Sequence, residues 1–239
     1  MQHEKASFFL GFCFLITIFT ANVITTIRPS SYPEPIYQVE GFKSVVFLTF
    51  DVLWQKEHLD DILEFLEERR IKAIFFVTGE WLKKNNHEAQ KIIDYGHQLG
   101  NQTFSHVRLL LMKEEEIEQE IAKFIKLSQE LLHYKPTFFR PPYGEYNSRI
   151  VRIAGEKDLF TLLWSINVKS LSERETELII SHLEESLHDG AILLCHTSSP
   201  KILQTLPEVI DFMEWKGYNV GDPQLIQEYA AKKLPVYGR

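Results

Sequence analysis

The chain has 239 residues, 44% of them hydrophobic, 13% aromatic and 25% charged, with a formal net charge of -7 and two cysteines. This composition excludes a disordered chain, a collagen-like repeat and a cysteine-stapled miniprotein, and the acidic balance argues against a nucleic-acid partner. The length suits one large α/β domain or two small ones.

From Phe8 to Val23 the sequence carries no charge. A core helix is normally amphipathic, so this run reads as a signal-anchor helix or a secretory signal peptide within residues 1–27. Either reading places the rest of the chain outside the cytoplasm, and an anchor would tie it to the membrane. Pro29, Pro33 and Pro35 then mark an extended spacer over residues 28–40, because proline fixes φ and lacks the N–H. One domain, residues 41–239, remains.

Within that domain, apolar strand-like runs alternate with helical patterns. Val45–Phe50 reads as a buried strand, and Leu59, Ile62, Leu63 and Leu66 mark a helix face. Ala73–Val77 is a second strand, followed by a helix through Glu88–Tyr95 and a short third strand at the turn Gly96–Gly100. Residues 113–132 form the clearest helix, with an acidic start that suits the positive end of the helix dipole. Further strands are expected at Thr137–Phe139, Phe160–Trp164, Ala191–Cys195 and Tyr218–Val220. Ser172 and Glu175 fit a capping box for a helix reaching Leu187, and another helix spans Leu206–Trp215. Strands alternating with crossover helices imply a parallel sheet, open or closed into a barrel.

Sites in parallel α/β folds are built at the C-terminal ends of the strands. Asp51, His106, Arg140, Asn167 and His196 each follow a strand there. Singly, an aspartate at a strand end is usually a turn residue and a lone histidine a surface or core residue. Their recurrence at five strand ends points to a shared site.

Thr49-Phe50-Asp51, Gly96–Asn101 through Ser105-His106, Arg140-Pro141-Pro142-Tyr143-Gly144 and Leu194-Cys195-His196 together resemble the ordered motifs of the polysaccharide deacetylases. These are the NodB-homology enzymes of carbohydrate esterase family 4. The resemblance covers roughly Val45 to Val220. It implies a distorted (β/α)7 barrel that hydrolyses N-acetyl groups on cell-wall glycan, either peptidoglycan or chitin-like oligomers. It also implies a divalent metal, usually zinc, that polarises the acetyl carbonyl and acidifies the attacking water. Carried over by position, Asp51 is the general base, His196 the general acid and Arg140 the partner that holds Asp51. His106 is a metal ligand, while Tyr143, Leu194 and Trp164 line the substrate pocket.

The chain departs from that pattern at the metal. Val52 stands where the family has a ligating aspartate, and Gln102 where it has the first ligating histidine. Valine has no donor atom, and a neutral amide binds zinc poorly beside imidazole. Zinc lowers the pKa of bound water from about 15.7 to about 7, on the order of 12 kcal/mol of proton-transfer driving force. Acid–base catalysis alone supplies about 3–5 kcal/mol. His58, Asp60 and His97 are the nearest replacement donors in sequence. The carboxylate and tryptophan usual after the fifth strand are also absent, with Asn167, Ser170 and Leu171 in that region. Thr-Phe-Asp, an aliphatic residue and then Trp54 resemble a spore-former branch in which the same aspartate is replaced. Three functions follow: an N-deacetylase with an altered metal site, a glycan-binding pseudoenzyme, or a barrel that keeps the motifs only for packing. The last explains Leu194 and Pro141 but not Asp51 together with His196.

Overall fold

The eight-residue strand β1 (Val45–Val52) is buried from Val46 onward, as a central parallel strand covered on both faces must be. The structure is a computed structural model that describes residues 34–52, 58–168 and 176–233. After β1 come α1 (Leu59–Glu68), β2 (Ile74–Val77), α2 (Gly79–Lys84), α3 (Asn86–Asp94), β3 (Gln98–Asn101) and α4 (Glu114–Leu132). Then follow β4 (Phe138–Phe139), α5 (Ser148–Glu156), β5 (Phe160–Thr161), β6 (Ile166–Asn167) and α6 (Thr176–Ser186). The chain continues through β7 (Ile192–His196), α7 (Ile202–Trp215), β8 (Asn219–Val220) and α8 (Pro223–Lys232).

All ladders are parallel, in the order β5-β4-β3-β2-β1-β7-β6, with β8 pairing to the start of β1. The two ends of that order, β5 and β6, are joined by residues 162–165 alone. Four residues reach at most about 14 Å, so the sheet must curl until its edges nearly meet. This is a distorted (β/α)7 barrel. Before β1, Ile36 bridges to Leu162 and Gln38 to Ala191, and Ile36 and Val39 are buried. Residues 36–39, the end of the expected spacer, therefore pack on the sheet.

The expected strands agree with the structure except at the fifth. Phe160–Trp164 splits: β5 ends at Thr161, and Ser165 donates its N–H to Ile192 O while its Oγ accepts the Ile192 N–H. Those bonds carry the chain across to β7 and make β6, which periodicity missed. The helices α2, α5 and α8 were also missed, although each has a side-chain cap. Thr78 accepts from Trp81 N–H, Asn147 from Ile150 N–H, and Asp222 from Gln224 N–H, the last with Pro223 at the first helical position. Helix α7 begins four residues earlier than the expected Leu206, accommodating Pro207. The Ser172–Glu175 capping box, Trp54 and the apolar N-terminal run lie outside the described residues. Among the described residues no helix is long and apolar enough to cross a membrane.

Candidate active site

Alternation along the strands decides which side chains face the barrel axis. On β1, Val46, Leu48, Phe50 and Val52 join the apolar layer under the helices, while Phe47 packs in a second, interior cluster. Thr49 and Asp51 continue the face of Phe47. On β7, Leu193 and Cys195 face the helices and Ile192 the interior, so Leu194 and His196 continue the inner face. Asp51 and His196 are register partners at the C-terminal ends of adjacent strands.

Five polar side chains meet there, all buried. Arg140 Nη1 donates to Asp51 Oδ1 at 2.8 Å, and Gln102 Nε2 donates to Asp51 Oδ2 at 2.7 Å. His196 Nε2 lies 3.9 Å from the same Oδ2. Arg140 has no exposed surface, yet its donors are well used: Nη2 reaches Thr49 Oγ1 and Leu163 O, and Nε reaches Leu162 O. Its guanidinium also lies over the rings of Phe76, at 4.0 Å, and Trp164, at 5.4 Å. Burial lowers the Arg140 pKa and Asp51 opposes that shift; an arginine so paired stays cationic. Thr49 Oγ1 in turn donates to Leu193 O, which fixes its lone pairs toward Arg140.

A second group sits on the loop after β3. The ring of His106 packs edge-on to Tyr143 with centroids 4.9 Å apart, and the Arg108 guanidinium covers Tyr143 at 4.5 Å. The loop is strapped on three sides. Gly79 and Glu80 at the start of α2 donate their N–H groups to Thr103 O and Phe104 O. Asn101 Oδ1 accepts from Thr103 N–H, and Thr103 Oγ1 from His106 N–H. Glu120 of α4 accepts the N–H groups of Phe104 and Ser105 on one oxygen. The sequence did carry a signal for Glu120: a carboxylate within the apolar stripe of Ile117, Ile121 and Phe124.

Asp51, Arg140 and His196 are thus brought together as their sequence positions suggested, and His106 and Tyr143 form a neighbouring pair. Trp164 stacks under Arg140 and against Gly144, where a Cβ would lie 2.8 Å from Trp164 Cη2. Leu194 is buried between β1 and β6. Asn167 is the last residue of β6, pairing with Leu194. Cys195 faces the helix layer, and burial pushes its thiol up to about 12, so it serves packing.

The residues do not fit the family's metal. Val52 is wholly buried in the apolar layer, and Gln102 commits its amide nitrogen to Asp51. None of the replacement donors helps. His97 precedes β3, at the opposite end of that strand from Gln102, where its Nδ1 accepts from Ala73 N–H. Asp60 pairs with Lys91 on the helical surface, and His58 occupies the N-cap position of α1 without a side-chain capping bond. Neither is grouped with two further donors among the described residues. Among the described residues no three His, Cys, Asp or Glu side chains are grouped to hold an ion.

The family model "Polysaccharide deacetylase" matches residues 38–160, a span that ends before His196. The chain belongs to the polysaccharide deacetylase family. It is 28% identical to the uncharacterized protein YlxY of Bacillus subtilis, over 83% of this chain and 64% of that protein. It is 30% identical to a peptidoglycan-N-acetylglucosamine deacetylase of Bacillus cereus, over 73% of this chain and 65% of the relative. The chain therefore spans slightly less than two thirds of these two curated relatives. Among solved structures it resembles a family 4 carbohydrate esterase pseudoenzyme of Bacillus anthracis, with TM-score 0.76 and 29% identity over 83% of this chain and 69% of that one. A mutant of such a pseudoenzyme with restored enzymatic activity superposes equally well, at 30% identity over 83% of this chain and 71% of that chain.

Proposed function

We propose that this chain is a deacetylase-type hydrolase of the bacterial cell wall, acting on N-acetyl groups of peptidoglycan. One observation carries the reading: Asp51, Arg140 and His196 converge at the C-terminal ends of their strands. The names of the relatives, peptidoglycan deacetylases among them, supply the substrate class. Asp51 would take a proton from the water whose oxygen bonds to the acetyl carbon. His196 would protonate the departing amine as the C–N bond breaks, leaving acetate. Arg140 holds Asp51 in place for that step through the 2.8 Å contact to Oδ1. Tyr143, Trp164 and Leu194 would line the sugar and acetyl pocket. Acid–base groups of this kind give about 10²–10⁴-fold acceleration, so slow turnover is expected.

A second reading, glycan binding without turnover, is favoured by one contact. Gln102 holds the very oxygen of Asp51 that faces His196, and Val52 offers no donor. The likeness to a pseudoenzyme points the same way. In either case the apolar run in residues 1–27 would serve as a signal or membrane anchor that places the barrel at the wall.

The deciding experiment uses the full chain in mild detergent, measuring bound metal and acetate release from N-acetylglucosamine oligomers and from peptidoglycan. Release lost in both Asp51→Asn and His196→Ala establishes the enzyme. No release in the parent, with activity gained on combining Val52→Asp and Gln102→His, establishes the binding domain, provided the parent still retains glycan in a pulldown.

A further inference from the structure

Beside the Asp51 cluster, the chain holds a tyrosine in a costly conformation. Tyr143 has φ +63, the left-handed region that side chains larger than Asn rarely enter, and Gly144 follows at φ +70. Strain of this kind persists where the surrounding structure imposes it, commonly at binding sites. The result is a ring 55% exposed, pinned along one edge by His106 and roofed by the guanidinium of Arg108. Arg108 is itself delivered from a fixed backbone, because its neighbours His106 and Leu109 are buried while its own side chain is about half exposed. Its internal partner is Glu145, just after the Tyr143 turn. Ion pairs between exposed partners are weak, so an incoming carboxylate can take the place of Glu145.

We infer that Arg108, stacked on Tyr143, is a specificity residue of this cleft, receiving a carboxylate carried by the glycan next to the bound N-acetyl sugar. The planar guanidinium offers two parallel N–H donors, which match a carboxylate and not a neutral hydroxymethyl group. The cleft therefore selects carboxylated cell-wall glycan over neutral N-acetylglucosamine polymers. The protein as a whole carries net charge -7, so non-specific attraction of an anionic strand is not available to do this. This inference rests on the proposed reading of the site as a glycan cleft.

The test is equilibrium binding of the full chain to three ligands: N-acetylglucosamine tetramer, glycan strands bearing free lactyl carboxylates, and muropeptides whose carboxylates lie on the peptide. The parent is expected to prefer one carboxylated ligand over the neutral tetramer by roughly tenfold, the size of one charge-assisted bidentate contact. Which of the two wins identifies the source of the carboxylate. Arg108→Gln should collapse that ratio toward one, Arg108→Lys should restore part of it, and Glu145→Gln should enlarge it. Equal affinity for all three ligands, or a ratio unchanged in Arg108→Gln, overturns the inference while leaving the glycan cleft intact. Failure of every ligand to bind overturns both.

Discussion

Gln102 and Asp51 form the shortest side-chain-to-side-chain contact in the candidate active site, amide nitrogen to carboxylate oxygen at 2.7 Å. The aspartate oxygen that faces His196 is capped by a neutral donor from within the chain. With Arg140 on the other oxygen, each carboxylate oxygen holds one donor before any ligand arrives. Gln102→Glu replaces the donor with a second carboxylate, and like charges at hydrogen-bond distance share a proton. The raised carboxylate binds protons in the folded state that the unfolded chain releases, so this variant should gain stability relative to the parent as pH falls from 7 toward 5. Melting temperature measured across that range checks the sign.

Arg140 is the largest fully buried side chain of the barrel. Arg140→Met leaves Asp51 with a buried charge held only by Gln102, and breaking a buried pair in this way costs about 3–5 kcal/mol. Urea unfolding should show it, and the additional Asp51→Asn should recover part of the loss.

His97 is buried against Phe75, and desolvation lowers its pKa from 6.5 to about 4. The folded state resists a proton that the unfolded state accepts, so stability is full above pH 6.5 and declines as pH falls toward 4. The penalty grows to about 3 kcal/mol below pH 4. His97→Gln should flatten this part of the pH–stability curve in chemical denaturation.

Glu120 holds the loop of residues 103–106 through two backbone N–H groups. Glu120→Ala leaves both donors without that acceptor, at about 1–3 kcal/mol for such a charged acceptor. Hydrogen exchange at Phe104 and Ser105 should accelerate well beyond that at β2, localising the loss to the loop.

Gly144 lies at φ +70 with Trp164 closing over it. Gly144→Ala meets both the strained conformation and an aromatic ring, and should cost about 1–3 kcal/mol. A change in Trp164 fluorescence should accompany the loss, since the indole is what must move.

The barrel was legible because its buried strands are continuous apolar runs bounded by helical periodicity, and each polar motif falls where such a run stops. Asp51, Arg140 and His196 could be placed together from that rule alone. The short β6 was not legible: two residues carry no period, and only the bonds between Ser165 and Ile192 define the strand. The helices α2, α5 and α8 are announced by capping residues rather than by long stripes. Sequence identified Gln102 as a missing ligand but could not show that its amide turns to Asp51. It offered His97 as a replacement donor because sequence distance says nothing about which end of a strand a residue occupies.

The strand that carries Asp51 is bonded to β2 on one side and, along most of its length, to β7 on the other. Its second neighbour is made from residues more than half the chain further on. Loop closure over such a separation is slow, and until it happens one edge of an apolar strand is bare. A chain arrested or cleaved before residue 192 would carry that edge as a sticky template for other chains. The same closure delivers His196 to Asp51. The candidate active site and the cover of this β1 edge are therefore completed by the same pairing, so a fragment that lacks the site also lacks its own protection.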